Sequence, residues 1–138
     1  MTSGTARAQA LLELSLCAPV IVLLALGSAA TVQVAGARAG LDAATQAAAN
    51  AAVRAPDPAA ALAAAQRRFS TVVADYPLRS PTLSVSMGGF SRSGKITVSS
   101  SAQVDLRWAA FLLVPNQLTL RSQVVLWLES WRTHTTSS

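Results

Sequence analysis

Glu13 is the only charged residue between Arg7 and Arg38, and a charge-free apolar run, residues 14–34, begins directly after it. A charged side chain deep in hydrocarbon costs about 2.5–3.5 kcal/mol on insertion scales, and less near the interface. A carboxylate in this position therefore needs a partner. The chemistry that this placement predicts is charge pairing during assembly in a membrane.

The other residues that could do chemistry give no indication of catalysis. The only cysteine, Cys17, lies inside the apolar run, and the only histidine, His134, lies in a polar C-terminal tail. The sequence has no nucleophile elbow, phosphate-binding loop or zinc-ligand spacing. The remaining acidic residues are explained as turns, helix caps or solvated faces. We therefore expect a structural or interaction protein and no enzyme, with no catalytic residue, cofactor, metal or small-molecule substrate.

The charge distribution disfavours nucleic acid as a partner. The formal net charge is +5, but the basic residues are scattered and only Arg67 and Arg68 are adjacent. Nucleic-acid surfaces usually concentrate basic residues in a stripe or groove. Charged residues make up 12% of the chain, against about 25% in soluble proteins, which indicates buried or self-associating surface.

The element that must position Glu13 is a long helix. The apolar run has 21 residues, which as a helix span about 31 Å, close to the ~30 Å hydrocarbon core of a bilayer. Pro19 is expected to kink this helix near its beginning. An alanine-rich stretch, residues 35–53, contains no proline, so the helix is expected to continue out of the membrane. Membrane lipid is accordingly the first predicted partner.

Small residues recur where this helix would leave the membrane. Gly36 and Gly40 have the G-x-x-x-G spacing that lets another helix come close, and both are candidate helix-packing residues. Alanines 39, 43, 47 and 51 repeat every four residues on one face. The same pattern is also explained by a composition that simply favours helix.

Proline then separates the first helix from a second one. The sequence Pro56-Asp57-Pro58 ends the long helix because proline disfavours helical backbone before it and lacks an N–H. A second helix is expected at about residues 59–74, capped by Asp57. Its core-facing residues are predicted to be Leu62, Phe69, Val72 and Val73.

Beyond this helix the hydrophobic period changes to two. Alternating patterns over residues 83–87, 96–107 and 118–129 predict three antiparallel strands, the first two joined by a turn from Gly88-Gly89 to Gly94. Helices followed by strands make this an α+β unit. The apolar stretch 108–115 is too short to span a bilayer. It is either a buried crossover at one end of the sheet or an exposed patch for a neighbouring subunit or the membrane surface.

The segment 8–19, A-Q-A-L-L-E-L-S-L-C-A-P, resembles the N-terminus of TadE-like proteins, which are minor pilins or pseudopilins of the tight-adherence branch of type IV pili. The residues that carry this resemblance are Gln9, Ala10, Leu11, Glu13 and Pro19. The long apolar helix and the later strands have the same general layout as in that family.

The resemblance implies that a prepilin peptidase cleaves between Ala8 and Gln9, which makes Glu13 the fifth residue of the mature protein. Ala8 is a departure, since the family usually has glycine there. The resemblance also implies that Glu13 pairs with the N-terminal ammonium of an adjacent subunit, so the major pilin and other pilin-like subunits are expected partners. Glu13 and Pro19 are thus the predicted subunit-assembly residues.

Pattern and resemblance together predict five regions and a location. The regions are a leader at 1–8, a transmembrane helix at 9–37, an extracytoplasmic helical region at 38–76, an antiparallel β region at 77–132 and a disordered tail at 133–138. The protein is expected in the cytoplasmic membrane, with a single pass and an extracytoplasmic C-terminal part, and in a cell-surface pilus. Arg7 and Arg38 give little positive-inside bias, so this orientation follows from the resemblance.

Two alternatives stay open at the level of sequence. One is a single-pass protein of an envelope or secretion complex that never enters a fibre. The other is an exported protein whose signal peptide is cut at Ala35-Gly36-Ala37, although its hydrophobic region would be longer than the usual ~7–15 residues.

Overall fold

The structure is a computed structural model that describes residues 2–88 and 94–128. Its helices are α1 (Thr2–Val53), α2 (Pro58–Val73) and a 3-10 helix (Arg107–Leu112), and its strands are β1 (Arg79–Gly88), β2 (Lys95–Asp105) and β3 (Gln117–Trp127). The predicted α+β fold, with a long N-terminal helix, a shorter helix and a three-stranded antiparallel sheet, is confirmed. Residues 89–93, the middle of the turn predicted from Gly88-Gly89 to Gly94, and the predicted tail at 133–138 lie outside the described residues.

The sheet has one buried face and one hydroxyl-rich outer face. The strand order is β1-β2-β3, with Leu83 opposite Ser100 and Val98 opposite Val124. Every second residue of β2 is buried, as the period of two predicts for a sheet packed on one side. These buried residues are Ile96, Val98, Ser100, Ala102 and Val104.

The helix α1 has two different halves. Every side chain in residues 3–25 is exposed. From Ala30 onward a stripe of residues is buried against α2 and the inner face of the sheet. The stripe is made of Ala30, Ala37, Leu41, Ala44, Ala48 and Ala52, spaced as one face of a helix requires. Alanines 39 and 43 are exposed, and 47 and 51 are half-buried, so the repeat seen in the sequence lies on a neighbouring face.

The second helix begins as predicted, and three of its four predicted core residues pack in the core. Asp57 Oδ1 accepts a hydrogen bond of 2.8 Å from the N–H of Ala60, which confirms the predicted cap. Phe69 and Val73 are buried and Val72 packs half-buried against the core, as predicted. Leu62 is 39% exposed, so its predicted place in the core is wrong. The rest of the buried face consists of small residues, Ala61 and Ala65. Because the short side chain of alanine lets two helices approach closely, α2 packs against α1 through the face that carries Ala61 and Ala65. Leu62 lies outside that face and points outward.

A buried pair of hydroxyls joins α1 to β2. The Thr45 hydroxyl donates to the carbonyl oxygen of Leu41 over 2.7 Å, and its oxygen is also hydrogen-bonded to the Ser100 hydroxyl. A hydroxyl has one proton to donate, so Ser100 must be the donor to Thr45. Both side chains are buried in otherwise apolar surroundings. The pair therefore fixes one position of the helix along the sheet.

A close contact at Gly40 holds the C-terminal end of α2 against α1. The ring of Tyr76, three residues after α2 ends, lies on Gly40, where a Cβ atom would come within 2.4 Å of two ring carbons. Gly36, one helical turn earlier, has open space at the same position. Only one residue of the predicted helix-packing pair is thus covered by this chain itself.

We expect Gly40→Ala to destabilise the domain and Gly36→Ala to stabilise it. Overpacking against the Tyr76 ring costs about 1–3 kcal/mol, while replacing glycine by alanine in a helix contributes roughly 1 kcal/mol in the opposite direction. Gly36→Ala has only the favourable contribution. Thermal unfolding in detergent micelles, followed by tryptophan fluorescence, measures both changes.

The double variant Gly40→Ala/Tyr76→Ala separates the clash from other effects. Removing the ring should make the Gly40→Ala change less costly than it is in the wild type. Equal shifts in melting temperature for Gly36→Ala and Gly40→Ala would contradict the proposed contact.

Candidate functional site

The exposed half of α1 is the most unusual surface of the described chain. Its most apolar 18-residue stretch has 0% of its residues buried, and the helix is long and apolar enough to cross a membrane. Large apolar side chains are exposed throughout, including Leu14 at 65%, Ile21 at 63% and Leu24 at 67%. Monomeric soluble proteins rarely leave contiguous apolar surface of this extent in water. This part of the helix therefore needs lipid or another protein around it.

Glu13 lies in the first part of this exposed surface. Its side chain is exposed, and it forms no ion pair within the part of the chain that the structure describes. Ala8 and Gln9, the predicted processing site, are exposed in the same helix one turn earlier. The helix continues through Pro19 without interruption. The structure thus places the predicted processing and assembly residues on one continuous, uncovered helix.

The polar side chains inside the apolar run have partners of their own. The hydroxyls of Ser28 and Thr31 donate to the carbonyl oxygens of Leu24 and Gly27 over 2.8 and 2.9 Å. Such bonds within the helix are what makes small hydroxyl residues acceptable at membrane depth. The apolar character of the run is therefore not lost at these positions.

Gln33 connects the apolar helix to the sheet, and sequence reasoning missed it. Its Oε1 accepts a hydrogen bond of 3.0 Å from Trp108 Nε1, and its Nε2 donates to the carbonyl oxygen of Asp105 over 3.4 Å. One carboxamide thus holds the end of β2 and the start of the 3-10 helix at a defined level along α1. The only signal in the sequence was the presence of an amide side chain inside an apolar run. Its hydrogen-bond partners could not be predicted, because they are 72 and 75 residues away in the chain.

A charged cluster closes the same end of the sheet. Asp105 lies 3.1 Å from Arg79 Nη2 and 3.3 Å from Arg107 Nε. It also accepts a hydrogen bond of 3.0 Å from the backbone N–H of Arg107. That backbone bond, with the charges of Arg107 and Arg79, lowers the pKa of Asp105 below its usual 3.8, although desolvation opposes the shift. The cluster joins β1, β2 and the 3-10 helix.

The 3-10 helix leaves an exposed apolar surface beside α1. Trp108, Phe111 and Leu113 are 41%, 56% and 97% exposed, and we call these three residues the apolar tip. Of the two interpretations of residues 108–115, the structure favours the exposed patch, although Ala109 is buried.

An apolar groove of about 410 Å³ separates this segment from α1. The helix contributes Gly27, Ala30, Thr31, Val34, Ala35 and Arg38, and the opposite wall is formed by Leu106, Leu112, Val114, Pro115 and Leu118. The segment after the 3-10 helix is therefore level with the second half of the apolar run.

Comparison of the chain with protein-family models, with curated proteins and with solved structures gives no match.

We expect the stability contribution of Asp105 to depend on pH. Since its pKa is lower in the folded chain than its usual 3.8, the ionised carboxylate stabilises the fold at pH values above about 4. This contribution is lost as the pH falls through the folded-state pKa. The difference in melting temperature between the wild type and Asp105→Asn should therefore be largest near neutral pH and shrink below about pH 4.

Gln103→Asn, on the same strand and without a titrating group, is the control. Its shift in melting temperature should be the same at every pH. A wild-type advantage over Asp105→Asn that persists unchanged down to about pH 2 would contradict this role of the carboxylate.

Proposed function

We propose that this chain is a TadE-like minor pilin or pseudopilin that contributes to assembly of a tight-adherence pilus or secretion apparatus. The exposed half of α1 would anchor it in the cytoplasmic membrane, and α2 and the sheet would lie on the extracytoplasmic side. The observation that carries the proposal is the position of Glu13 on an uncovered apolar helix, within the 8–19 pattern that resembles this family. The small α+β unit on the other half of the helix is consistent with it.

In this proposal Glu13 pairs with the N-terminal ammonium of Gln9 in an adjacent subunit, after cleavage between Ala8 and Gln9. The exposed carboxylate has no ion pair inside the described chain, so it is free to reach a neighbouring molecule. Desolvation opposes the Coulomb attraction of such a buried pair, so its net stabilisation is small. Its main contribution would be to set the register between neighbouring helices.

The proposed partners follow from this role. They are membrane lipid, the prepilin peptidase, the major pilin and other pilin-like subunits. Pro19 would shape the helix near the contact with those subunits. The protein would act through contacts between subunits, without catalysis or a cofactor.

One contact argues for retention of α1 over removal of a signal peptide. A cut at Ala35-Gly36-Ala37 would remove Ala30 and Gln33 from the domain. Ala30 is buried, and Gln33 holds both Trp108 and the end of β2. Export with cleavage would therefore expose part of the core and leave the Trp108 indole without its acceptor. A membrane anchor outside any fibre uses the same helix and is separated from the proposal by the experiments below.

We predict that the mature protein begins at Gln9. Mass spectrometry of the purified membrane-bound protein gives its N-terminus directly. Ala8→Gly should be processed at least as completely as the wild type, while a bulkier residue in Ala8→Val should leave more of the precursor. A mature chain that begins near Arg38 would contradict both the processing and the anchor.

We predict that Glu13→Ala inserts normally in the membrane but enters fibres poorly. The substitution removes a charge from an apolar segment, so insertion should not suffer, whereas the pairing with a neighbour's ammonium is lost. Incorporation beside the major pilin is measured by crosslinking or by pulldown of sheared pili.

Ser15→Ala is the matched control, since it changes an exposed polar residue two positions away and keeps Glu13. It should be incorporated like the wild type. Equal incorporation of Glu13→Ala and Ser15→Ala would remove the assembly role from Glu13.

A further inference from the structure

We propose that the apolar tip, Trp108, Phe111 and Leu113, inserts into the lipid surface next to α1, so that the folded domain itself contacts the membrane. The inference rests on one part of the proposed function, the anchoring of α1 in a bilayer. It does not depend on entry into a fibre.

Contacts with α1 set the level of the tip along that helix. The hydrogen bond from Trp108 Nε1 to Gln33 Oε1 ties the start of the 3-10 helix to the last part of the apolar run. Leu112 and Val114, on either side of Leu113, share a groove with Gly27 and Thr31. Both α1 residues belong to the run 14–34. The tip therefore lies beside helix surface that is itself apolar enough for hydrocarbon.

The distance from Glu13 to the groove is close to the thickness of a bilayer. Gly27 and Arg38, the first and last α1 residues that line that groove, follow Glu13 by 14 and 25 residues. On a helix that rises ~1.5 Å per residue they lie roughly 21 and 38 Å beyond Glu13, and the hydrocarbon core is about 30 Å thick. With Glu13 near one interface of the bilayer, the tip falls at the opposite interface.

The side chains of the tip are suited to contact with lipid. Phe111 and Leu113 are strongly exposed and carry no polar group. Leu113 also has a φ of 58°, a left-handed conformation that favours glycine or asparagine. Because the Leu113 side chain is 97% exposed, it makes almost no packing contacts that would offset this backbone strain. Such combinations point to a function outside the folding of the chain.

The residues around the tip suit the boundary between lipid and water. Tryptophan is enriched at membrane interfaces, and the Trp108 N–H is already satisfied by Gln33, which leaves its ring available for contact. Arg107 begins the 3-10 helix and is 62% exposed, and Arg38 lines the groove on α1. Basic side chains at this level are attracted by anionic headgroups.

The full-length chain allows a direct test because Cys17 is its only cysteine. A polarity-sensitive fluorophore is attached to three single-cysteine proteins: the wild type, Cys17→Ser/Leu113→Cys and Cys17→Ser/Leu62→Cys. Cys17 reports on the proposed span, and Leu62 is an exposed apolar residue on α2. The proteins are reconstituted at one copy per nanodisc in phosphatidylcholine and phosphatidylglycerol, with and without bromine on the acyl chains.

We expect blue-shifted emission and loss of intensity with brominated lipid at residues 17 and 113, and neither change at residue 62. Lipid contact at 17 with a water-exposed label at 113 would overturn the inference and leave the anchor intact. Absence of lipid contact at both positions would overturn the anchor as well.

A second copy of the chain as the occupant gives a different result. The label at 113 would then be shifted only in discs that hold two copies, without quenching by brominated lipid, and this outcome also overturns the inference. Lipid contact at 113 in a protein that never enters fibres would support the inference while the assembly role fails.

Discussion

One continuous helix forms both the exposed apolar segment and the centre of the folded domain. The 52 residues of α1 extend over roughly 78 Å, and between residue 25 and residue 37 one face of the helix passes from exposed to buried. Because no break separates the two halves, the position of one determines the position of the other. The positions of Glu13, Gln33 and the sheet along the axis of α1 are therefore fixed relative to one another. The proposed functions all depend on these relative positions.

The domain is held on this helix by small residues, with a few contacts that fix its position. Alanines on α1 and α2 provide much of the buried surface between the helices. Surfaces made of alanine allow helices to approach closely but are nearly smooth, so they fit together in several relative positions. Other contacts must therefore determine which position the helices and the sheet adopt. The buried hydrogen bond between Thr45 and Ser100, the Tyr76 ring on Gly40 and the amide of Gln33 supply this selection. Satisfied polar pairs in an apolar core commonly have this role.

The sequence predicts the elements better than their contacts. Apolar length, the prolines at 56 and 58 and the period of two are local signals, and they gave the long helix, its end and the three strands. The outward position of Leu62 and the partners of Gln33 depend on how distant elements meet, which local spacing does not contain. The assembly site rests on a pattern of 12 residues, 8–19. The structure adds that this segment is helical and uncovered.

A single helix that crosses a bilayer is free to tilt, and a domain carried on it would tilt with it. In the proposed arrangement the apolar tip lies to one side of α1 and would be a second contact with lipid. Two such contacts would limit the tilt and hold the flank that carries the tip towards the membrane. The opposite flank of the sheet would then face away from lipid at a nearly constant inclination to the membrane plane.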